Sequence, residues 1–459
     1  MTASSQQQSS PQQPSPQQPS PQQPSPQQPA PQRPAGPPTR ALPARELLLF
    51  GGLAIVVLAV FATMGPAYST RMLVEASCYA ILALGLTIQW GYAGQFNAGI
   101  MGFVALGGFS ATFFSIPVNP EFWASDLPGR LGWVLLAMVA VTAIVFGISR
   151  LDRIGVPRLL RTILAVVAGL VGYLVVISWL RSVTGDIESQ VEFIGGLGLP
   201  VWLGWIVGGA LAGGVGYFIG HICLGLRSDY LVIATLGIAE IIKAFLKNSD
   251  WLTRGTATIS PLPWPVSDPG EVGFLTARAL YLSVTVVMIA VIFFLLHRAY
   301  HAPWGRMIRA IRDNEVSAAA MGKSINRRRQ EIFVFGCILM GIGGAALTSF
   351  NGLFDPQGYL PLNHTFLVLV MVILGGPGNN LGTLFGAVLV YVIWIMSGPM
   401  ALAVMHAVTA LGAHWFDWQP GNLDSRALQA RVFVIGLLIL LVLRFAPRGL
   451  IPEKVKHHD

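Results

Sequence analysis

Long apolar stretches with few or no charged residues recur along this chain of 459 residues. The longer stretches approach the roughly 20 residues that a helix needs to cross the hydrocarbon core of a bilayer. Charged residues make up 11% of the chain, whereas a soluble domain carries about 25%. The sequence therefore predicts an integral membrane protein with many helices and excludes a soluble enzyme. The clearest stretches are residues 131–149, 163–180, 279–296 and 432–443.

The apolar segments predict an all-α, polytopic transmembrane helix bundle of about 10 to 12 spans. Three of the segments, near 96–116, 231–247 and 365–378, are short or interrupted by glycine. We expect these three to be re-entrant or broken helices. The full set lies near residues 47–64, 72–90, 96–116, 131–149, 162–180, 201–223, 231–247, 279–297, 331–350, 365–378, 382–399 and 430–446.

Residues 1–45 differ from the rest of the chain, because Pro-Gln-Gln-Pro-Ser recurs there with almost no apolar side chains. Such a segment cannot bury a core, so we expect a disordered tail with polyproline II character. A cytoplasmic tail is favoured, and a proline-motif ligand for a partner is the alternative. The chain then divides into this tail, a transmembrane domain over 46–452 and a cytoplasmic tail over 453–459.

The basic residues lie in loops between apolar segments, and acidic residues occupy the intervening loops. Cytoplasmic loops of membrane proteins carry an excess of Lys and Arg, so we expect the basic loops and both termini in the cytoplasm. The net charge of +8 follows from these loops and indicates no nucleic-acid partner. The basic residues are Arg150, Arg153, Arg158 and Arg161, then Arg298, Arg306, Arg309, Arg312, Lys323, Arg327, Arg328 and Arg329, then Arg448, Lys454 and Lys456.

Residues 307–330 form the most informative segment between apolar runs. Apolar residues recur in it at helical spacing, Glu315 opens an alanine-rich turn and Gly322 supplies a stop. We predict two short amphipathic helices across a cytoplasmic surface. Because a solvated loop needs no apolar stripe, we expect a partner outside the bilayer to cover it. A helix lying in the lipid headgroups is the alternative. The stripe consists of Ile308, Ile311, Val316, Ala319 and Ala320.

The sequence from Pro303 to Gly322 resembles the coupling loop of permeases in the branched-chain amino acid uptake family of ABC importers. In that family the loop sits in a cleft of the ATP-binding subunit, and Glu315 and Gly322 match its two anchors. Ser317 and Ala319 depart from its commoner alanine and glutamate. The resemblance implies an ATPase-coupling loop that comprises Arg306, Arg309, Arg312, Glu315, Ala318, Met321 and Gly322.

Four further stretches resemble the same family in the same order. They are AILALGLTIQWGYAGQ at 80–95, LRSDYLVIATLGIAEIIK at 226–243, VILGGPG at 372–378 and PRGLIP at 447–452. The resemblance implies a permease subunit in the bacterial inner membrane, without a cofactor or enzymatic activity of its own. Its expected partners are the lipid bilayer, a second permease subunit, two ATP-binding subunits that hold ATP and Mg, and an external solute-binding protein.

Two departures from that family stand out. The segment around 135–195 is extra and predicts an inserted helix pair outside the shared core. Residues 253–258, TRGTAT, stand where the family has Thr-Gly-Gly-Pro-Asn-Gly. An external loop that could contact the binding protein is therefore altered, which would change solute or partner preference.

Two glycine-rich stretches, 91–99 and 375–380, predict helix breaks. Lipid cannot solvate the backbone groups that a break frees, so a break must line a cavity or contact protein. A helix cap is an alternative role for Asn97, and a structural ion pair with Lys243 is an alternative for Glu240. The predicted translocation path comprises Gly91, Gly94, Gln95, Asn97, Gly99, Tyr230, Thr235, Glu240, Gly375 and Gly376.

An ion-coupled secondary transporter is the alternative of another class. Such proteins bury ionisable groups in mid-span, and the central parts of these spans are nearly free of them; Glu75 lies near a span end, within reach of the interface. A phosphate-binding loop at Gly322-Lys323-Ser324 is excluded, because the earlier glycine and strand are missing. Branched-chain amino acids are the favoured solutes, and urea or short-chain amides, which relatives carry, are the alternative.

Overall fold

The computed structural model describes residues 42–150, 157–226, 228–416 and 423–453. The predicted tail over 1–45 lies outside the described residues except for its last four positions. Helix α1 begins in the first of two units of the chain, residues 1–49, and every contact described below lies within the second, residues 50–459. The described part contains α-helices and no β-strand, although two isolated bridges join Val118 to Gly195 and Ile259 to Phe354.

The α-helices account for nearly every apolar segment of the sequence. They are α1 (Leu42–Met64), α2 (Pro66–Leu86), α3 (Ile100–Ser115), α4 (Pro120–Ala124), α5 (Leu127–Ser149), α6 (Arg158–Val191), α7 (Val201–Cys223), α8 (Ser228–Lys247), α9 (Asp250–Thr253), α10 (Pro269–Val272), α11 (Phe274–His301), α12 (Pro303–Asp313), α13 (Glu315–Ala320), α14 (Ile325–Asn351), α15 (Leu367–Gly375), α16 (Asn380–Phe416) and α17 (Leu423–Phe445).

Eight of the described helices are long and apolar enough to cross a membrane, and two shorter apolar helices cover 100–115 and 363–375. The prediction of an all-α polytopic bundle is therefore confirmed. The segment 231–247, which we expected to be re-entrant or broken, instead forms one continuous helix, α8. Its single internal glycine, Gly237, costs only about 1 kcal/mol relative to alanine in a helix, which is too little to break it.

The inner bundle is built around α14, which packs closely on α2, α3 and α7, while α3 and α7 also pack on each other. Small residues meet where the backbones approach: Gly204 faces Ala111, and Gly208 faces both Gly107 and Gly341. Moving a helix from lipid to protein brings no hydrophobic gain. Helix association in a membrane is therefore driven by close packing of small residues and by interhelical hydrogen bonds. The burial of α2 is nearly complete, with 94% of its most apolar stretch inside the bundle.

The helix pair predicted within 135–195 is present as α5 and α6, with residues 151–156 outside the described part. The two helices pack mainly on each other around Leu131, Val134, Val183 and Ile187. Only 11% and 6% of their most apolar stretches are buried. The pair therefore lies at the periphery of the bundle, and its origin as an insertion stays a prediction.

The altered loop over 253–258 contacts the end of this helix pair. The Arg254 guanidinium lies 2.6 Å from the Glu192 carboxylate and 5.3 Å from the ring centre of Phe193. The Ile194 amide donates to the Trp251 carbonyl at 3.0 Å. The two departures from the family pattern therefore lie side by side in the fold.

The bundle has two distinct ends, which we call the α12 end and the opposite end. At the α12 end, the Arg312 side chain donates to the Gly91 carbonyl and to the carboxylate of Glu453, the last described residue. At the opposite end, the Leu197 amide donates to the Phe113 carbonyl at 2.9 Å. The described part of the large basic loop lies at the α12 end, whereas the acidic residue Glu192 lies at the other.

Candidate functional site

The segment between α11 and α14 contains the two short helices that the sequence predicts. Pro303 occupies the first turn of α12, where its missing N–H costs no helical hydrogen bond. The Asn314 side chain separates the helices and caps α13 by accepting from the Ser317 amide at 3.0 Å. Gly322, with φ of 72° in the left-handed region, ends the segment.

The apolar face of α12 is covered by this chain itself. Ile308 and Ile311 are buried, and Ile308 packs against Ile88, Tyr92 and Ile332. The expectation that an outside partner covers the whole stripe is therefore wrong for α12. Helical spacing shows that a face must be covered, but it does not specify which surface covers it.

Helix α13 keeps its apolar side chains exposed. Val316 is 80% exposed and Met321 is 78% exposed, whereas Ala318 is buried. The Glu315 carboxylate binds the Arg329 guanidinium through two bonds of 2.9 and 2.8 Å. This bidentate pair fixes α13 on the start of α14, while Val316 and Met321 stay exposed.

The three arginines of α12 do not share one surface. Arg306 is exposed, whereas the Arg309 guanidinium lies 4.1 Å from the centre of the Tyr300 ring. Arg312 turns inward and donates to both the Gly91 carbonyl and the Glu453 carboxylate. Burial by itself lowers the pKa of Arg312, but its carboxylate neighbours raise it above the ordinary value, so this side chain stays charged.

The first predicted break is confirmed by the backbone. Helix α2 continues into a π-helical turn over Thr87–Tyr92, and α3 begins only at Ile100. The Asn97 side-chain Nδ2 donates to the Gln89 side-chain Oε1 at 3.0 Å, and Gln89 Nε2 donates to the Phe333 backbone carbonyl at 2.7 Å. These polar side chains satisfy one another, so they brace the break.

Asn97 and Thr235 both hold the irregular backbone of this break. The Asn97 side-chain oxygen accepts from the Gly99 amide at 2.8 Å, and the Thr235 hydroxyl accepts from the Ala98 amide at 3.1 Å. Their polar atoms are therefore occupied within the chain. Asn97 does not cap α3, whose N-cap is Gly99, so the helix-cap alternative is wrong, and its path-lining role stays a prediction.

Gln95 differs from its neighbours in the break. Its side chain is buried, and neither amide atom has a hydrogen-bond partner among the described residues. An unpaired buried polar group costs about 1–3 kcal/mol. Among the predicted path residues that lie at the break, Gln95 therefore has a buried side chain whose hydrogen-bonding capacity is unused in the described structure.

The second break, between α15 and α16, lies directly against the first. Gly376 and Gly378 adopt positive φ angles of 114° and 91°. A Cβ atom at Gly91 would overlap the backbone of Gly378, so both positions require glycine. The Tyr92 hydroxyl donates to the Asn380 side-chain oxygen at 2.7 Å. The structure thus brings together Gly91, Gly375 and Gly376, as the predicted path requires.

Two residues of the predicted path lie elsewhere. Tyr230 is 60% exposed and Glu240 is also exposed, both on the outer side of α8. Within the described part of the chain no ion pair joins Glu240 to Lys243. Helix α8 instead turns Thr235 toward the break. The Glu240–Lys243 pair that the sequence suggested is therefore not formed in the described structure, and the assignment of Tyr230 and Glu240 to the path stays a prediction.

The sequence-based prediction also missed a buried carboxylate. Glu75 is only 7% exposed, accepts from the Tyr391 hydroxyl and pairs with Arg71 at 3.1 Å. The sequence suggested that Glu75 reaches the membrane interface, but its side chain is buried. Arg71, one turn earlier on α2, is the exposed member of the pair. The i, i+4 spacing of Arg71 and Glu75 is a signal that could have indicated this pairing.

The described helices thus form a membrane-spanning bundle in which two helix breaks meet, with amphipathic helices across one end, and broken helices of this kind are typical of transporters. The family model described as "Branched-chain amino acid transport system / permease component" matches residues 68–199 and 186–443. The chain belongs to this family.

Curated relatives agree with the family assignment. The high-affinity branched-chain amino acid permease protein LivM of Escherichia coli is 28% identical over 215 residues, which is 42% of this chain and 50% of LivM. A probable LivM of Methanocaldococcus jannaschii is 25% identical over 251 residues, 53% of this chain and 67% of that protein.

The similarity extends to a permease named for another solute. The fructose import permease protein FrcC of Rhizobium meliloti is 25% identical over 199 residues, 42% of this chain and 54% of FrcC. The chain spans about half the length of the LivM proteins of Escherichia coli and Salmonella typhimurium that it matches. No solved structure matches this chain.

Proposed function

We propose that this chain is the permease subunit of an ATP-driven importer that carries branched-chain amino acids across a bacterial inner membrane. The observation that carries the proposal is the exposed helix α13, with Glu315 at its start, inside a chain of the branched-chain amino acid permease family. ATP hydrolysis then takes place on separate subunits, and this chain has no catalytic site of its own.

The expected partners are two ATP-binding subunits, a second permease subunit and an external solute-binding protein. Val316 and Met321 supply the apolar anchors for an ATP-binding subunit, since large exposed apolar groups on a polar surface favour protein contact. With basic loops in the cytoplasm, the α12 end faces the ATP-binding subunits, and the opposite end faces the binding protein.

Movement passes from α13 to the helix breaks through a short chain of contacts. Closure of the ATP-binding subunits displaces α13, and the Glu315–Arg329 pair conveys the displacement to α14. Helix α12 packs through Ile308 against the π-helical turn of α2. A rigid-body shift of this kind can rearrange the two breaks without any chemistry in this chain.

The solute passes beside the paired breaks, where Gln95 has a buried amide without a partner in the described structure. An amide can donate to a carboxylate and accept from an ammonium group, so it suits an amino acid. It suits urea or a short amide equally well, and the similarity to a fructose permease agrees that this fold serves several solutes.

Uptake into proteoliposomes that contain the full set of subunits tests the proposal. We expect ATP- and binding-protein-dependent uptake of labelled leucine, and a fall of roughly tenfold or more in Glu315→Arg, because charge reversal breaks the pair with Arg329 and alters the docking surface. Arg158→Glu, an exposed charge reversal at the start of the peripheral helix α6, is the matched control and should keep wild-type uptake.

Other results would redirect the proposal. Uptake of urea or fructose in place of leucine would support the assignment as a permease but change the solute assigned to it. Uptake that follows a proton or sodium gradient without ATP would make the ion-coupled transporter correct, with buried Glu75 as its first candidate residue.

A further inference from the structure

The last described residues of the chain pack into the bundle. The Leu450 amide donates to the Leu374 carbonyl at 2.8 Å, and the Ile451 amide donates to the Gly375 carbonyl at 3.1 Å. The Asn379 side chain donates to the Pro452 carbonyl at 3.3 Å. Residues 450–452 are thereby attached along the second helix break, which holds Glu453, the last described residue, next to it.

The Glu453 side chain continues from this attachment toward α12. It is 14% exposed, and its Oε2 atom accepts from Arg312 Nη1 at 3.0 Å. Its Oε1 atom accepts from the hydroxyl of Tyr300, near the end of α11. Charge-assisted bonds of this kind are stronger and more directional than neutral ones.

Arg312 extends the connection to the first break. The same Nη1 atom that binds Glu453 also donates to the Gly91 carbonyl. One carboxylate and one guanidinium, which we call the clasp, therefore join α12 to both helix breaks. Ile308 and Trp304 of α12 also pack against residues of the first break, and apolar packing of this kind is non-directional and can slide.

We propose that the clasp of Arg312 and Glu453 positions the two helix breaks according to the movement of α12, and so sets how much solute is carried per ATP hydrolysed. The proposal rests on the proposed function of an ATP-driven permease. Neither residue touches the solute in this assignment; both act through the backbone at Gly91 and Gly375.

The complete transporter in proteoliposomes provides the test, with solute uptake and ATP hydrolysis measured in the same vesicles. The variants are Glu453→Gln, Arg312→Met and the two combined. Glu331→Gln is the matched control, because Glu331 also pairs with an arginine, Arg328 at 2.7 Å, at the same end of the bundle without contacting a break.

We expect Glu453→Gln to lower uptake per ATP by about fivefold, within the coupling range of contacting residues. The combined variant should lose no more uptake per ATP than the more impaired single variant, because each single substitution already breaks the bond between Arg312 and Glu453. Glu331→Gln should keep the wild-type ratio even if it lowers the amount of protein. A purely structural role would reduce uptake and hydrolysis together and leave their ratio unchanged.

Several results would overturn the proposal. An unchanged ratio of solute uptake to ATP hydrolysis in Glu453→Gln, with the protein assembled, would show that Glu453 contributes to folding alone. Losses that multiply in the combined variant would show that Arg312 and Glu453 act separately. A wild-type transporter without ATP-dependent uptake of any solute would instead refute the proposed function, and the clasp proposal with it.

Discussion

The inner helices α2 and α14 contrast with the outer pair α5 and α6. The outer helices are the more apolar, yet only 11% and 6% of their most apolar stretches are buried, against 94% and 72% for α2 and α14. In a membrane, apolarity therefore indicates contact with lipid. Burial is indicated by glycine and by polar side chains that pair across helices.

The largest effect is expected where two inner backbones touch. Gly107 packs against the Gly341 carbonyl, so Gly107→Leu should force α3 and α14 apart at a cost of about 3 kcal/mol or more. The matched control is Gly132→Leu on α5, where a side chain meets open space. The amount of protein in membranes and its unfolding midpoint in detergent measure both. Equal losses would erase the contrast between the two regions.

A smaller loss is expected when an inner polar bridge is removed. Gln89→Leu keeps about the same volume but leaves the buried side-chain amide of Asn97 without its partner, at about 1–3 kcal/mol, and removes the bond from Gln89 to the Phe333 carbonyl of α14. The control is Thr162→Val on α6, whose hydroxyl bonds only to its own helix at Arg158, at 2.9 Å. The unfolding midpoint should fall clearly for Gln89→Leu, and no difference between the two variants would contradict the role given to the bridge.

The smallest effect is expected in the outer pair. Arg130→Gln removes the ion pair with Asp186, whose atoms are 2.6 Å apart with both side chains more than a third exposed. Water screens such a pair, so we expect a change of about 1 kcal/mol or less and unchanged uptake. A larger loss of stability than for Gln89→Leu would show that the outer pair is an integral part of the core.

Helical spacing explains where the sequence-based predictions for α8 and α12 agree with the structure and where they differ from it. The spacing in residues 307–330 correctly predicts two short helices, yet α12 turns out to be covered by the chain itself. On α8, Tyr230 and Thr235 lie about 140° apart around the helix axis. They could not share a face, and the structure turns only Thr235 inward.

The sequence by itself determined that this protein is a bundle of membrane helices, where two of them break and where the amphipathic segment lies. These are local properties, since apolar length, helical period and clustered glycine each act within a few turns of one helix. The tertiary structure decided which distant residues meet. It placed Gly91 against Gly378 and Glu453 beside Arg312, and it left α5 and α6 outside. Apolar side chains accept lipid or protein equally well, so these partners depend on the packing of small residues and on matched hydrogen bonds, which no local pattern specifies.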